Sequence, residues 1–145
     1  LIVAFLDMVE NHKMIVENSG LLTVAALKQL DIKDKKLVAI LSGGNMDVIT
    51  MSSVVQQGLI MRDRIFTVSV LLPDKPGELS KVADVVARQN GNVIKLEHNQ
   101  FVSTNRNAAV ELRITLEAFG MEHKEQIIDA LNTTGYKPKV VRTNI

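Results

Sequence analysis

A chain of 145 residues, 46% apolar and 23% charged, has the size of one ordinary domain or two small ones and is too apolar for disorder. A formal net charge of +1 gives no general attraction to nucleic acid or to an anionic membrane, so neither is expected as a partner. No cysteine occurs, which excludes disulfides and thiolate metal sites and suits a reducing, cytoplasmic setting.

The opening LIVAFLDMVE is apolar but short, and Asp7 and Glu10 interrupt it. With no basic start and no small-residue cleavage site, it reads as neither a signal peptide nor a membrane span. The first residue is not methionine, which favours a chain cut from something longer. Residues 1–12 are expected to be helical, KMIVEN a strand and NSG a turn. LLTVAALKQL follows as an amphipathic helix, with Leu22, Ala25, Ala26 and Gln29 along one side and Leu21, Val24 and Leu27 along another. KKLVAIL is a second strand, and MDVITMSSVVQQ a helix with Val48, Met51 and Val55 in register. Strands without alternation are usually covered on both faces, as in parallel α/β sheets. This is one βαβ unit with a trailing helix. Two such strands would leave apolar edges and faces open, so residues 1–60 read as the tail of a larger α/β domain. Met8, Met14, Met46 and Met51 are expected in its core.

The boundary falls near Met61 to Arg64, dividing 1–62 from 63–145. Beyond it IFTVSVLL alternates, with Phe66, Val68, Val70 and Leu72 on one face and Ile65, Thr67, Ser69 and Leu71 on the other. PDKPGE turns the chain, and LSKVADVVARQ places Leu79, Val82, Ala83 and Val86 on a helical core stripe. GNVIKLEHNQF and NAAVELRITLE are two more strands joined by STNR; Val110, Leu112, Ile114 and Leu116 share a face. Glu97 and Arg113 fall across neighbouring strands, a structural pairing. MEHKEQIIDALNTTG is a helix with Ile127, Ile128 and Leu131 inward and Lys124, Glu125 and Asp129 solvated. YKPKVV is an edge-like strand, where Pro138 is tolerated. The order βαββαβ specifies an α+β ferredoxin-like sandwich, with one antiparallel sheet and two helices on one face.

Three stretches carry chemistry. In VAILSGGNMD, Ser42, Gly43, Gly44 and Asn45 end an apolar run before a helix: a strand-to-helix turn or part of a ligand pocket. A phosphate cradle is disfavoured, because the spacing and Lys-Ser/Thr of a P-loop are missing. Glu17 ends the first apolar strand and either faces a site or caps the next helix at NSG. In DKPGEL, Pro76 restricts the loop, Gly77 permits close backbone approach, and the helix start presents unpaired N–H groups suited to a carboxylate. It is either such a site or a well-formed turn with no ligand. His12, His98 and His123 are far apart and form no ligand spacing, so no metal is expected.

MIVENSGLLTVAALK…LVAILSGGNMDV resembles the end of the catalytic domain of threonine dehydratases, pyridoxal-phosphate enzymes of the fold type II (tryptophan-synthase β) superfamily. FTVSVLLPDKPGELSKVADVVARQNGNVIKLEHNQ looks like the regulatory ACT domain that many of them carry at the C-terminus. The resemblance implies a parent that converts L-threonine, and often L-serine, by deamination; from threonine the products are 2-oxobutanoate and ammonia. It implies that Ser42 meets the pyridine nitrogen of pyridoxal phosphate, with Gly43, Gly44, Asn45 and Glu17 in the same wall. It implies an amino-acid effector, such as isoleucine or valine, at Asp74, Pro76, Gly77, Glu78 and Leu79. Asn92 and Val93 of a neighbouring copy would complete that site, so a homo-oligomer through paired ACT domains is expected. The family's Schiff-base lysine and glycine-rich phosphate cup lie further toward the N-terminus and have no counterpart here. Lys13, Lys28, Lys35 and Lys36 stand in the wrong contexts to replace the lysine. The chain alone is therefore expected to lack dehydratase activity, to hold the cofactor poorly, and to need the missing N-terminal catalytic part as partner.

Two other classes compete. RNA-recognition modules share the βαββαβ order but place stacking aromatics on the open sheet face. The matching positions here are Thr67, Ser69, Glu111 and Arg113, so nucleic-acid binding is not expected. A dimerisation module with no effector is the alternative.

Overall fold

In the computed structural model, which describes residues 1–99 and 110–144, the chain divides into the units Leu1–Met61 and Arg62–Ile145, each with its own core. In the first unit α1 (Ile2–Asp7) runs into a π-helical turn, Met8–His12, which Lys13 ends in the left-handed region at φ 57°. α2 spans Leu22–Leu27 and α3 Val48–Met61. Gly58 lets α3 approach α1: a Cβ there would lie 3.3 Å from Leu6 Cδ2. Phe5, Met8, Val16 and Leu21 form the core, with Met46, Met51, Val54 and Val55 packed against it.

This unit corrects several expectations. Neither KMIVEN nor KKLVAIL forms a strand, so the partial βαβ is not present as a sheet. A backbone bond does join the two segments, from Glu17 N–H to Gly43 O at 3.2 Å. A parallel strand of this composition requires cover on both faces, and here Val38 is 91% and Ile40 72% exposed. Met14 and Val48 are exposed rather than in the core. Of the residues named on the two sides of the second predicted helix, only Leu21, the N-cap of α2, is buried; α2 itself is six residues long and contains no buried residue.

The second unit carries the sheet. β1 (Ile65–Leu72), β2 (Asn92–Asn99), β3 (Val110–Glu117) and β4 (Lys139–Val141) are ordered β2-β3-β1-β4, with every pairing antiparallel. α4 (Glu78–Arg88) and α5 (Met121–Thr133) send Val82, Val86, Ile127 and Leu131 into one core with Phe66, Val68, Val70, Leu72, Leu112, Ile114 and Leu116. Both helices therefore cover one sheet face, the ferredoxin-like arrangement. On the other face the Thr67 and Thr115 hydroxyls bond at 2.9 Å, and Ser69 donates to Glu111 at 2.6 Å. Glu97 lies opposite Arg113 in register, but each pairs along its own strand, with Lys95 and Glu111 respectively.

Two predicted positions differ here. Leu79 is 42% exposed and stands outside the core that Val82 and Val86 enter. Lys124 is not free in solvent: it pairs with Asp63 at 2.5 Å and lies 5.7 Å over the Phe66 ring. The predicted STNR turn lies outside the described residues. Among those described, no helix is long and apolar enough to cross a membrane.

Candidate functional site

The first unit brings Glu17 and Gly43 together. Gly43 sits at φ +82°, and a Cβ built on it would lie 2.5 Å from the Glu17 carboxyl. That carboxyl accepts a hydrogen bond from Ser19 Oγ at 2.5 Å. Glu17 N–H in turn donates to Gly43 O, so the two predicted residues are joined through main chain and side chain. Ser42, Gly44 and Asn45 are exposed beside them, and a Cβ on Gly44 would lie 3.4 Å from Ile15 O.

Two supporting residues escaped the sequence reading. Gly20 packs its Cα face on Ser42, where a Cβ would stand 1.9 Å from the Ser42 carbonyl oxygen. No other residue fits there, and the glycine of NSG was the available signal. Asp47 caps α3: its carboxylate accepts from Thr50 N–H at 2.9 Å and Thr50 Oγ1 at 2.5 Å. The Thr50 hydroxyl and amide hold the Asp47 carboxyl below its usual range. The spacing Asp47-x-x-Thr50 before an apolar helix was its signal. Thus the turn is held from both ends, by Gly20 and Glu17 before it and by Asp47 after it.

The second unit contains a cavity of about 310 Å³ at the end of β1, lined by Asp74, Pro76, Gly77, Glu78 and Leu79 together with Leu72 and His98. Gly77 is the N-cap of α4 at φ 89°, and a Cβ there would meet nothing within 4 Å. Its requirement for glycine is thus one of backbone conformation rather than space. No side chain caps α4; Glu78 N–H donates to Lys75 O at 3.4 Å, and no capping side chain occupies the remaining N–H groups of its first turn. Glu78 accepts from Lys81 Nζ at 2.7 Å; this pairing raises the Lys81 pKa and offsets the carboxylate beside the helix start.

Asn92 and Val93 do not line this cavity. They begin β2, whose other end supplies His98, and Asn92 Nδ2 donates to Glu117 at 3.2 Å. Within one chain the predicted residues therefore fall into two groups at opposite ends of β2. His98 was missed, although register would have found it: it pairs with Leu112, on the face that carries the core. Among the described residues no group of three His, Cys, Asp or Glu could hold a metal ion.

No family model matches the chain. It is 34% identical over 141 residues, 96% of its length, to an L-threonine ammonia-lyase of Geobacter sulfurreducens. It is 31% identical over 139 residues, 95% of its length, to an L-threonine ammonia-lyase of Thermotoga maritima. An L-threonine dehydratase biosynthetic IlvA of Mycobacterium leprae shares 34% over 96 residues, 66% of the chain. The chain spans 35% of the length of the first two relatives.

Proposed function

This chain belongs to the threonine dehydratase family and corresponds to its C-terminal part, and on that premise we propose that it is the regulatory region of such an enzyme. The activity of the whole protein is then the deamination of L-threonine to 2-oxobutanoate and ammonia. The unit Arg62–Ile145 acts as an ACT-type sensor of a free amino acid, in a cytoplasmic homo-oligomer. The observation that carries this reading is the cavity at Gly77. It joins the uncapped start of α4, suited to a carboxylate, to the apolar side chains of Leu72, Pro73 and Leu79. That combination suits an amino acid with an aliphatic side chain, such as isoleucine or valine. Binding regulates only if the more and less active arrangements of the enzyme differ in effector affinity.

The first unit is read as one wall of a pyridoxal-phosphate pocket, and its residues fit that group only in part. Ser42 offers a hydroxyl for a ring nitrogen, and Gly44 a backbone without Cβ. At Gly43, however, the corresponding space is taken by the Glu17 carboxyl, so the backbone there is not open to the close approach of a flat ring. No step of the reaction is therefore assigned to these residues, and the chain alone is expected to form no 2-oxobutanoate from threonine.

Calorimetric titration of the folded chain against the twenty amino acids tests the sensor. Saturable heat with an aliphatic amino acid supports it, and no saturable heat with any of them overturns it. The second reading, a dimerisation module without effector, draws on β2: an edge strand, exposed along its length, with Val93, Ile94 and Leu96 each at least 38% open. Sedimentation showing a dimer, together with calorimetric silence, would favour it.

A further inference from the structure

An imidazole that meets a donor on one nitrogen and an acceptor on the other is confined to one neutral tautomer. His123, in the first turn of α5, is held in this way. Phe119 N–H donates to its Nδ1 at 3.0 Å, which leaves Nε2 to carry the hydrogen and donate to Gln89 O at 2.5 Å. The Phe119 and His123 rings stack, with centroids 4.9 Å apart and planes 16° off parallel, although Phe119 is otherwise 84% exposed. Gln89 closes α4, and Gly91 N–H returns to Val86 O at 3.0 Å as the chain enters β2. On the other side Phe119 leaves β3, whose Glu117 pairs with Asn92 at the start of β2. One side chain thus ties together the two turns that flank the same end of this strand pairing.

We propose that His123 is a proton-operated brace that pins the turn after β3 to the end of α4 when neutral and releases it when charged. Protonation places a hydrogen on Nδ1, directly facing the Phe119 N–H, and two donors cannot share a bond. The Nε2–H bond to Gln89 O survives and becomes charge-assisted. The ring therefore stays with α4, and the Phe119–Gly120 segment is the part that lets go, while Ala118, buried and bonded through its N–H to Arg64 O at 2.8 Å, stays with the core. Gly120, at φ 120°, is the joint in that segment. The charged groups lining the same cavity as His123, among the described residues, are Arg88 from α4 and Glu122 from α5, of opposite sign. Lys124 on α5 is engaged with Asp63. The brace stands whether or not Asn92 and Val93 meet a ligand.

Amide exchange and proton NMR of the whole chain, followed from about pH 7.5 to 5.5 where histidines ordinarily change charge, tests this. The protection factor of the Phe119 amide is expected to fall about three- to tenfold, the loss of one net hydrogen bond. Its midpoint should coincide with that of the His123 ring and not with those of His12 or His98, while Gly91 keeps its protection. In His123→Asn, whose Oδ1 can accept from Phe119 N–H at the Nδ1 position, the Phe119 profile should be flat. A flat wild-type profile while His123 titrates, or an equal response in the variant, overturns the brace. If the variant does not fold, the wild-type coincidence of midpoints decides alone.

Discussion

The Glu17 carboxyl fills the space in which a side chain at position 43 would begin, 2.5 Å from a Cβ built on Gly43. Two independent demands therefore fall on that glycine, the occupied space and a φ of +82°. Gly43→Ala should destabilise the first unit by about 1–2 kcal/mol from the backbone conformation alone, and by more from the clash. Glu17→Ala should remove the clash but leave the backbone cost. A double-mutant cycle read from exchange at Leu21, whose N–H bonds Glu17 O, should show this coupling. Additive effects would mean that the carboxyl does not occupy that space.

Gly77 presents the opposite case, with the same sign of φ and open space around it. Gly77→Val should cost about 1–2 kcal/mol and weaken amino-acid binding by displacing the start of α4, whereas Gly77→Asn should cost less, since Asn tolerates this region. Thermal unfolding beside calorimetric titration would measure both. Equal losses for the two variants would show that space and not backbone governs the site.

Leu131 and Leu79 separate stability from binding. Leu131 is fully buried, so Leu131→Ala should cost about 2–5 kcal/mol, and Leu79→Ala, on a half-open side chain, less than about 1 kcal/mol. Only the second should weaken effector affinity without a matching loss of stability. Urea unfolding and titration of both variants would reveal a reversal of that order.

Glu111 gives the second unit an acid-sensitive contact. The Ser69 hydroxyl is the main cause of its lowered pKa, with Arg113 adding to it. Because the folded value lies below the unfolded one, near 4.5, the contribution is present above that pH and is lost as pH falls through the folded value. Ser69→Ala should therefore cost about 1 kcal/mol at pH 7 and markedly less at acid pH, in urea unfolding followed at both. A cost that does not change with pH would count against the contact.

The second unit was the more legible in the sequence, because alternation in β1 and β3 and the stripe Val82, Val86 each state which face is buried. Leu79 shares that spacing yet stands half open; a helical period does not say where the core beneath it ends. His98 entered the cavity through strand register, a relation between segments that no local pattern displays. In the first unit the apolar runs around Val16 and Val38 looked like strands by composition, but a ladder needs partners on both sides, and their bonding to each other is confined to the turn at Glu17 and Gly43. Gly20 and Asp47 were readable as a steric and a capping residue, from the glycine of NSG and from the Asp-x-x-Thr spacing before an apolar helix.

The strand order also bears on how the second unit comes into being. β1 sits between β3 and β4, both made after it, and its first partner, Val110–Glu117, follows it by α4 and β2. As the chain leaves the ribosome, Ile65–Leu72 has no partner until that stretch appears. Its eight residues include five that are Ile, Phe, Val or Leu on alternating or adjacent positions before the final Leu72. Delayed pairing of this kind slows folding and exposes an apolar strand to other chains. Val82 and Val86 on α4, synthesised directly after β1, are the first partners available to shield its inner face.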